Sequence, residues 1–192
     1  FCLVSNSNSQ TNNSKYYQED NGILSLMYHR FNENKYPSTN IKMEVFTEQM
    51  KIIRDNGYDF YDPKLFIDEF DKPKNEKKIL ITIDDGFKSF YKEAWPYLKE
   101  NKIPFILFIS TEPVGKNGYM NWDEIKEIDN SEFGYIGHHS HTHEYLIDMS
   151  DKEFENDIET ATKIFKNEFY IIETLTDLVG GEFCAALKNV FR

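Results

Sequence analysis

The segment Lys78-Ile79-Leu80-Ile81-Thr82-Ile83 is a short, almost wholly apolar run that ends abruptly in Asp84-Asp85-Gly86. Its apolar content suits a central parallel strand covered on both faces, since a strand with one wet face would alternate polar and apolar side chains. Parallel strands need helical crossovers, and the flanking sequence supplies the alternation. Ile23 to Tyr28 predicts a buried strand leading into His29-Arg30 at the surface. Val45, Phe46, Met50 and Ile53 follow helical spacing, with Gly57 as the stop. Tyr58 to Tyr61 predicts a second strand, and Asp62-Pro63 caps a short helix through Phe70. Phe87 to Lys99 reads as a crossover helix bent in its last turn by Pro96, and Pro104 to Ile109 as the next strand. Asn121-Trp122-Asp123-Glu124 is a capped helix start, Phe133 to Gly137 a short strand, and Ser150 to Glu153 a capping box opening a long helix to about Asn167. The whole is an α/β barrel or sheet pattern with polar clusters just beyond the strand ends.

Length and composition narrow the function. At 192 residues the chain suits one domain, and 40% hydrophobic residues are ample for a core. A net charge of −11 would repel a phosphate backbone, and the lysine-rich run Lys72 to Lys78 is short and preceded by Asp68, Glu69 and Asp71. Nucleic acid is therefore not an expected partner. No apolar run is long enough to span a membrane. Cys2 and Cys184 lack the spacing of a zinc knuckle or a disulfide framework. Residues 1 to 20 read as the remnant of a secretion signal and a polar linker, which predicts a secreted, periplasmic or extracellular protein. Cys2 is also compatible with a lipid-anchor boundary. Residues 21 to 192 form the expected domain.

Two clusters carry chemistry. Consecutive side chains at a strand end diverge, so Asp84 and Asp85 can serve different tasks, one toward a water molecule and one toward a cation. Gly86 lets the backbone turn without covering them. The alternative is an ordinary acidic turn closing an apolar strand. His138-His139-Ser140-His141-Thr142-His143 then gathers four of the chain's five histidines just beyond a predicted strand. His139 and His143, four apart, can meet across one turn of helix or tight loop. With one carboxylate from another strand end they would form a two-histidine, one-aspartate site open to water and substrate. A helical zinc-protease motif is excluded because no Glu follows the first histidine, and a solvated His-rich turn is the alternative. Trp95 fits core packing. Trp122, beside Tyr119-Met120-Asn121, is a candidate for contact with substrate, and Pro113 to Gly118 is a turn-rich loop at the same face.

These residues resemble the metal-dependent polysaccharide deacetylases that share the NodB homology domain. Thr82-Ile83-Asp84-Asp85-Gly86 is similar to the first motif of that family, with Ile83 where Phe is usual, and His139-Ser140-His141-Thr142-His143 is similar to the second. Tyr28-His29-Arg30-Phe31 and the leader look most like the branch acting on poly-β-1,6-N-acetylglucosamine. The resemblance implies a distorted (β/α) barrel, incomplete at its C-terminus. It implies a hydrolase that removes N-acetyl groups from a polysaccharide, with Asp84 as general base and with Asp85, His139 and His143 holding a divalent metal, zinc first. A carbohydrate O-acetyl esterase and a catalytically incomplete binding fragment are the alternatives.

The chain departs from the family pattern in two places. Phe169 to Leu178 contains neither the Arg nor the Pro expected of the motif after the long helix. No histidine follows His143, so the usual general-acid histidine is missing. His29 and His138, both beside strand ends, are the candidate replacements.

Overall fold

The computed structural model describes residues 23–66 and 78–169. The chain enters on β1 (Ile23–Tyr28), forms the short pair β2 (Arg30–Phe31) and β3 (Asn40–Ile41), and continues into α1 (Met43–Asp55). β4 (Asp59–Phe60) precedes a 3-10 turn over Pro63–Leu65, where Asp62 accepts a hydrogen bond from the Lys64 amide. β5 (Lys78–Asp84), α2 (Trp95–Glu100), β6 (Phe105–Ile109), α3 (Trp122–Asp129), β7 (Gly134–His138) and α4 (Asp151–Phe169) complete the described chain. The leader, Cys2, Cys184, the end of the expected helix up to Phe70 and the Tyr170 to Leu178 stretch lie outside the described residues.

All strands of the main sheet are parallel, in the order β1-β5-β6-β7, with β4 joining β5 at its start. This is a parallel α/β architecture with the form of a partial (β/α) barrel. β5 is buried almost throughout, as its unbroken apolar run requires. In β6, Phe105, Leu107 and Ile109 are fully buried while Ile106 and Phe108 are less so, the period of two of a strand whose faces differ. α1 closes one side through Phe46, Met50 and Ile53, and Gly57 ends it with φ +75°. Val45, one residue off that stripe, stays half exposed.

The crossover after β5 differs from the expected helix. Lys88 and Ser89 open in α-helical form, Phe90–Ala94 is a π turn, and the regular α-helix resumes from Trp95. Pro96 has no amide hydrogen, and its ring would strike the carbonyl of Lys92 four residues earlier in a regular helix. The wide turn around Lys92 relieves that conflict, so the irregularity precedes the proline instead of bending the last turn. Trp95 is buried in the core, as its place in the pattern suggested. The capping boxes at Asn121/Glu124 and Ser150/Glu153 both form. No helix among the described residues is long and apolar enough to cross a membrane.

Candidate active site

The register of the sheet assembles the first half of the site. β1 pairs with β5 up to Tyr28 opposite Ile83, so the next residues, His29 and Asp84, emerge side by side. His29 Nε2 lies 3.9 Å from Asp84 Oδ2, and Asp84 is only 4% exposed. Beyond the strand the backbone turns through two consecutive left-handed residues, Asp85 and Gly86, each with φ 73°. The Asp85 amide still donates to the Phe108 carbonyl (2.9 Å), which ties the turn to β6. A Cβ on Gly86 would sit 2.8 Å from the Ile109 Cδ1 methyl, so the position suits glycine both in conformation and in space. The loop leading to Tyr119 folds over this turn: Lys88 N donates to Gly118 O and Met120 N to Gly86 O, each at 2.9 Å.

The second half comes from the segment after β7. His139 N donates to the Ile109 carbonyl (2.7 Å), and Ser110 Oγ donates to His139 O (2.8 Å). Glu112 N donates to His141 O, and Thr111 Oγ1 lies 2.7 Å from His141 Nδ1. The histidines are therefore carried by a tight loop laid along the end of β6, not by a helix. Ser140 and His143 adopt left-handed φ values of 64° and 63°. His143 N donates to Ser140 Oγ at 3.2 Å. The two imidazole centroids of His139 and His143 are 4.9 Å apart.

The halves meet at Asp85. Its Oδ1 lies 3.0 Å from His143 Nε2 and 3.6 Å from His139 Nε2, and the three potential ligand atoms are all within 4.8 Å of one another. Despite this approach, Asp85 Oδ1 is buried without a well-aligned hydrogen-bond donor. A buried carboxylate oxygen left in that state is costly, and two ring nitrogens converging on it make a donor set suited to a divalent cation. The residues present therefore fit a metal. Burial alone would raise the Asp85 pKa, but His143, His29 and His139 outweigh it and hold the carboxyl below its ordinary value. Asp84, beside this group and 3.9 Å from His139 Nε2, is not one of the three.

Two other sequence candidates lie elsewhere. His138 precedes His139 and points to the opposite face, where its ring lies 6.2 Å from Phe165 of α4. Loss of water around the ring pushes its pKa down, against the pull of Asp157. Trp122 is the first residue of α3, and its ring packs edge-on against Phe165 and Phe169 at 5.8 and 5.9 Å. Neither is brought together with the Asp84–Asp85 turn. Sequence reasoning missed Ser110, Thr111 and Asp157, which hold the histidine loop. The one available signal was Asp157 standing in the same four-residue series as Ala161 and Phe165.

A family model described as polysaccharide deacetylase matches residues 71–176, just over half of the chain, which therefore belongs to the polysaccharide deacetylase family. Among curated relatives, the Bacillus subtilis protein YxkH is 29% identical over 82% of this chain and 56% of its own length. The poly-beta-1,6-N-acetyl-D-glucosamine N-deacetylase of Staphylococcus epidermidis is 27% identical over 73% of this chain and 56% of that protein. The chain thus spans about half the length of the curated relatives it matches. The solved structure of IcaB from Ammonifex degensii superimposes with a TM-score of 0.68 at 26% identity, covering 79% of this chain and 71% of that one.

Proposed function

We propose that the protein to which this chain belongs is a metal-dependent hydrolase that removes N-acetyl groups from a polysaccharide, with poly-β-1,6-N-acetylglucosamine as the substrate class. The observation that carries this reading is the convergence of Asp85, His139 and His143 on one point, with a second, buried carboxylate, Asp84, held beside it. In this reading Asp85, His139 and His143 hold the divalent ion, zinc in the first instance. When bound, such an ion acts as a Lewis acid, polarising an amide carbonyl and acidifying water.

The chain's own groups do the proton work. Asp84, outside the ligand group, accepts a proton from water as the water oxygen bonds to the acetyl carbon. His29, at the neighbouring strand end, delivers a proton to the amide nitrogen as the C–N bond breaks, so acetate and a free amine leave together. The sheet register that sets His29 beside Asp84 supports it as the acid. His138 and Trp122 take no part, since each packs toward α4. The segment 1–20 as a secretion leader and 21–192 as a partial deacetylase domain belong to the same proposal, which sets the activity outside the cytoplasm.

The test is acetate release from an oligomer of β-1,6-linked N-acetylglucosamine, measured after chelation and again after zinc is restored. Release abolished by chelator and recovered with zinc is the expected result. Release indifferent to chelator overturns the metal reading, and none from folded, zinc-loaded protein overturns hydrolysis by this chain.

A further inference from the structure

The inward stripe of α4 runs Asp157, Ala161, Phe165 at four-residue intervals, all buried, so a carboxylate occupies a place where the helix otherwise presents apolar side chains. Its oxygens are committed to the histidine loop. Asp157 Oδ2 accepts the His141 amide hydrogen at 2.7 Å. Oδ1 accepts the Thr142 amide at 2.9 Å and the Thr142 hydroxyl at 2.7 Å. Two successive amide hydrogens converging on one anion form a backbone nest. This nest lies midway between His139 and His143, in a segment that turns through left-handed Ser140 and His143.

That backbone is strained for residues with a Cβ. Where it lies against β6, the loop is anchored by His139 N, Ser110 Oγ and Glu112 N. On the α4 side the loop is held by Asp157 and, at its start, by His138 Nδ1, which accepts the Ser140 amide at 3.2 Å. Thr142 Oγ1 also accepts the Glu144 amide at 3.4 Å, which extends the restraint past His143. We propose that Asp157 is a positioning residue: its carboxylate, docked in the nest of His141 and Thr142, fixes the loop so that the rings of His139 and His143 both face Asp85. The inference rests on the metal-site reading above and adds to it the element that sets the ligand spacing.

The experiment compares the full 192-residue chain with Asp157→Asn and Asp157→Glu. Two measurements are made well below the unfolding temperature: zinc affinity by competition with a chromophoric chelator, and metal-free hydrogen exchange of peptides spanning residues 138–144. Asn keeps the size of the side chain but turns one acceptor oxygen into a donor that faces an amide hydrogen. Asp157→Asn is expected to weaken zinc about 10- to 100-fold, the usual cost of losing a group that orients metal ligands. It is also expected to speed exchange at residues 141 and 142 while peptides from β5 and β6 keep their protection. Asp157→Glu, which keeps both acceptors, is expected to fall between.

Unchanged zinc affinity in folded Asp157→Asn overturns the proposal, whether or not the melting temperature drops. If the parent chain binds no zinc, the metal reading fails, while faster exchange confined to 138–144 still supports the clamp. Should Asp157→Asn fail to fold, Thr142→Val removes one of the three bonds and is expected to weaken zinc about fivefold, the equivalent of one ordinary hydrogen bond. Unchanged affinity in that variant overturns the proposal as well.

Discussion

Gly86→Ala tests the turn that presents the two aspartates. Gly86 has φ 73°, a conformation that costs a residue with a Cβ roughly 1–2 kcal/mol. The new Cβ would also sit 2.8 Å from Ile109 Cδ1, and Ile109 is fully buried, so its methyl has little room to retreat. Overpacking of that kind adds at least about 1 kcal/mol. The expected loss is therefore roughly 2–3 kcal/mol, or about 4–12 °C in Tm for a chain of this size. Urea unfolding followed by circular dichroism reads it directly. Ile109→Val separates the two contributions because it deletes the methyl that the new Cβ meets. Alone it should cost about 0.5–1.5 kcal/mol. Combined with Gly86→Ala it should give a total smaller than the sum by roughly 1 kcal/mol. Additivity within about 0.5 kcal/mol would refute the close approach. A loss below that size for Gly86→Ala alone would refute the conformational argument too.

The remaining expectations concern proton transfer and acid. His29→Gln is expected to cut acetate release by about 10²- to 10⁴-fold, the usual contribution of a general acid, with zinc affinity nearly unchanged; His138→Gln, which disturbs the acceptor of the Ser140 amide, should weaken zinc by no more than about fivefold and keep the parent's rate at saturating zinc. Steady-state rates and a zinc titration of each variant check this, and equal losses in the two variants would count against the assignment. Asp157 is held below the ordinary carboxylate range because its hydrogen bonds from His141 and Thr142 outweigh the opposing effect of burial. A lowered folded-state pKa means that its stabilisation is complete well above the unfolded value of about 3.9 and is lost as pH falls through the folded value. The stability gap between the parent and Asp157→Asn should thus be flat near neutrality and close below about pH 4; a gap that persists into stronger acid would show that ionisation of Asp157 is not its source.

The sequence disclosed those parts of the site whose logic is local. An apolar run ending in Asp84-Asp85-Gly86 announces a strand end, and His139 and His143 are close enough in the chain for their pairing to be read from spacing alone. His29 was visible as a strand-end residue, but its partner was not. That depends on which strand lies beside β5 and in what register, a property of the pairing between segments 55 residues apart. Trp122 was legible as the start of a helix capped by Asn121 and Glu124, but the direction of its ring is set by Phe165 and Phe169 on α4, which lie more than 40 residues on. Asp157 was hidden for a related reason: on an acidic helix one more carboxylate looks like surface until the neighbouring loop is seen to bury it. The π turn before Pro96 was half legible, since the proline required an irregularity without saying on which side it would fall.

The side chain that closes the histidine loop is supplied by α4, the last element described, whereas the carboxylates it serves stand at the end of β5, roughly 70 residues earlier. At typical ribosomal elongation rates that interval lasts on the order of 10 s. During it, β1 and β5 can pair and the Asp84–Asp85 turn can form, but neither histidine has been synthesised at first, and when both have emerged their loop has its anchors on β6 but still lacks the Asp157 carboxylate. Order of synthesis thus separates shaping the cradle from closing it. A nascent chain halted before Asp157 would carry every residue proposed to hold the ion and, on the positioning role proposed for Asp157, would hold it about 10- to 100-fold more weakly, which makes the helix the last contribution to the centre.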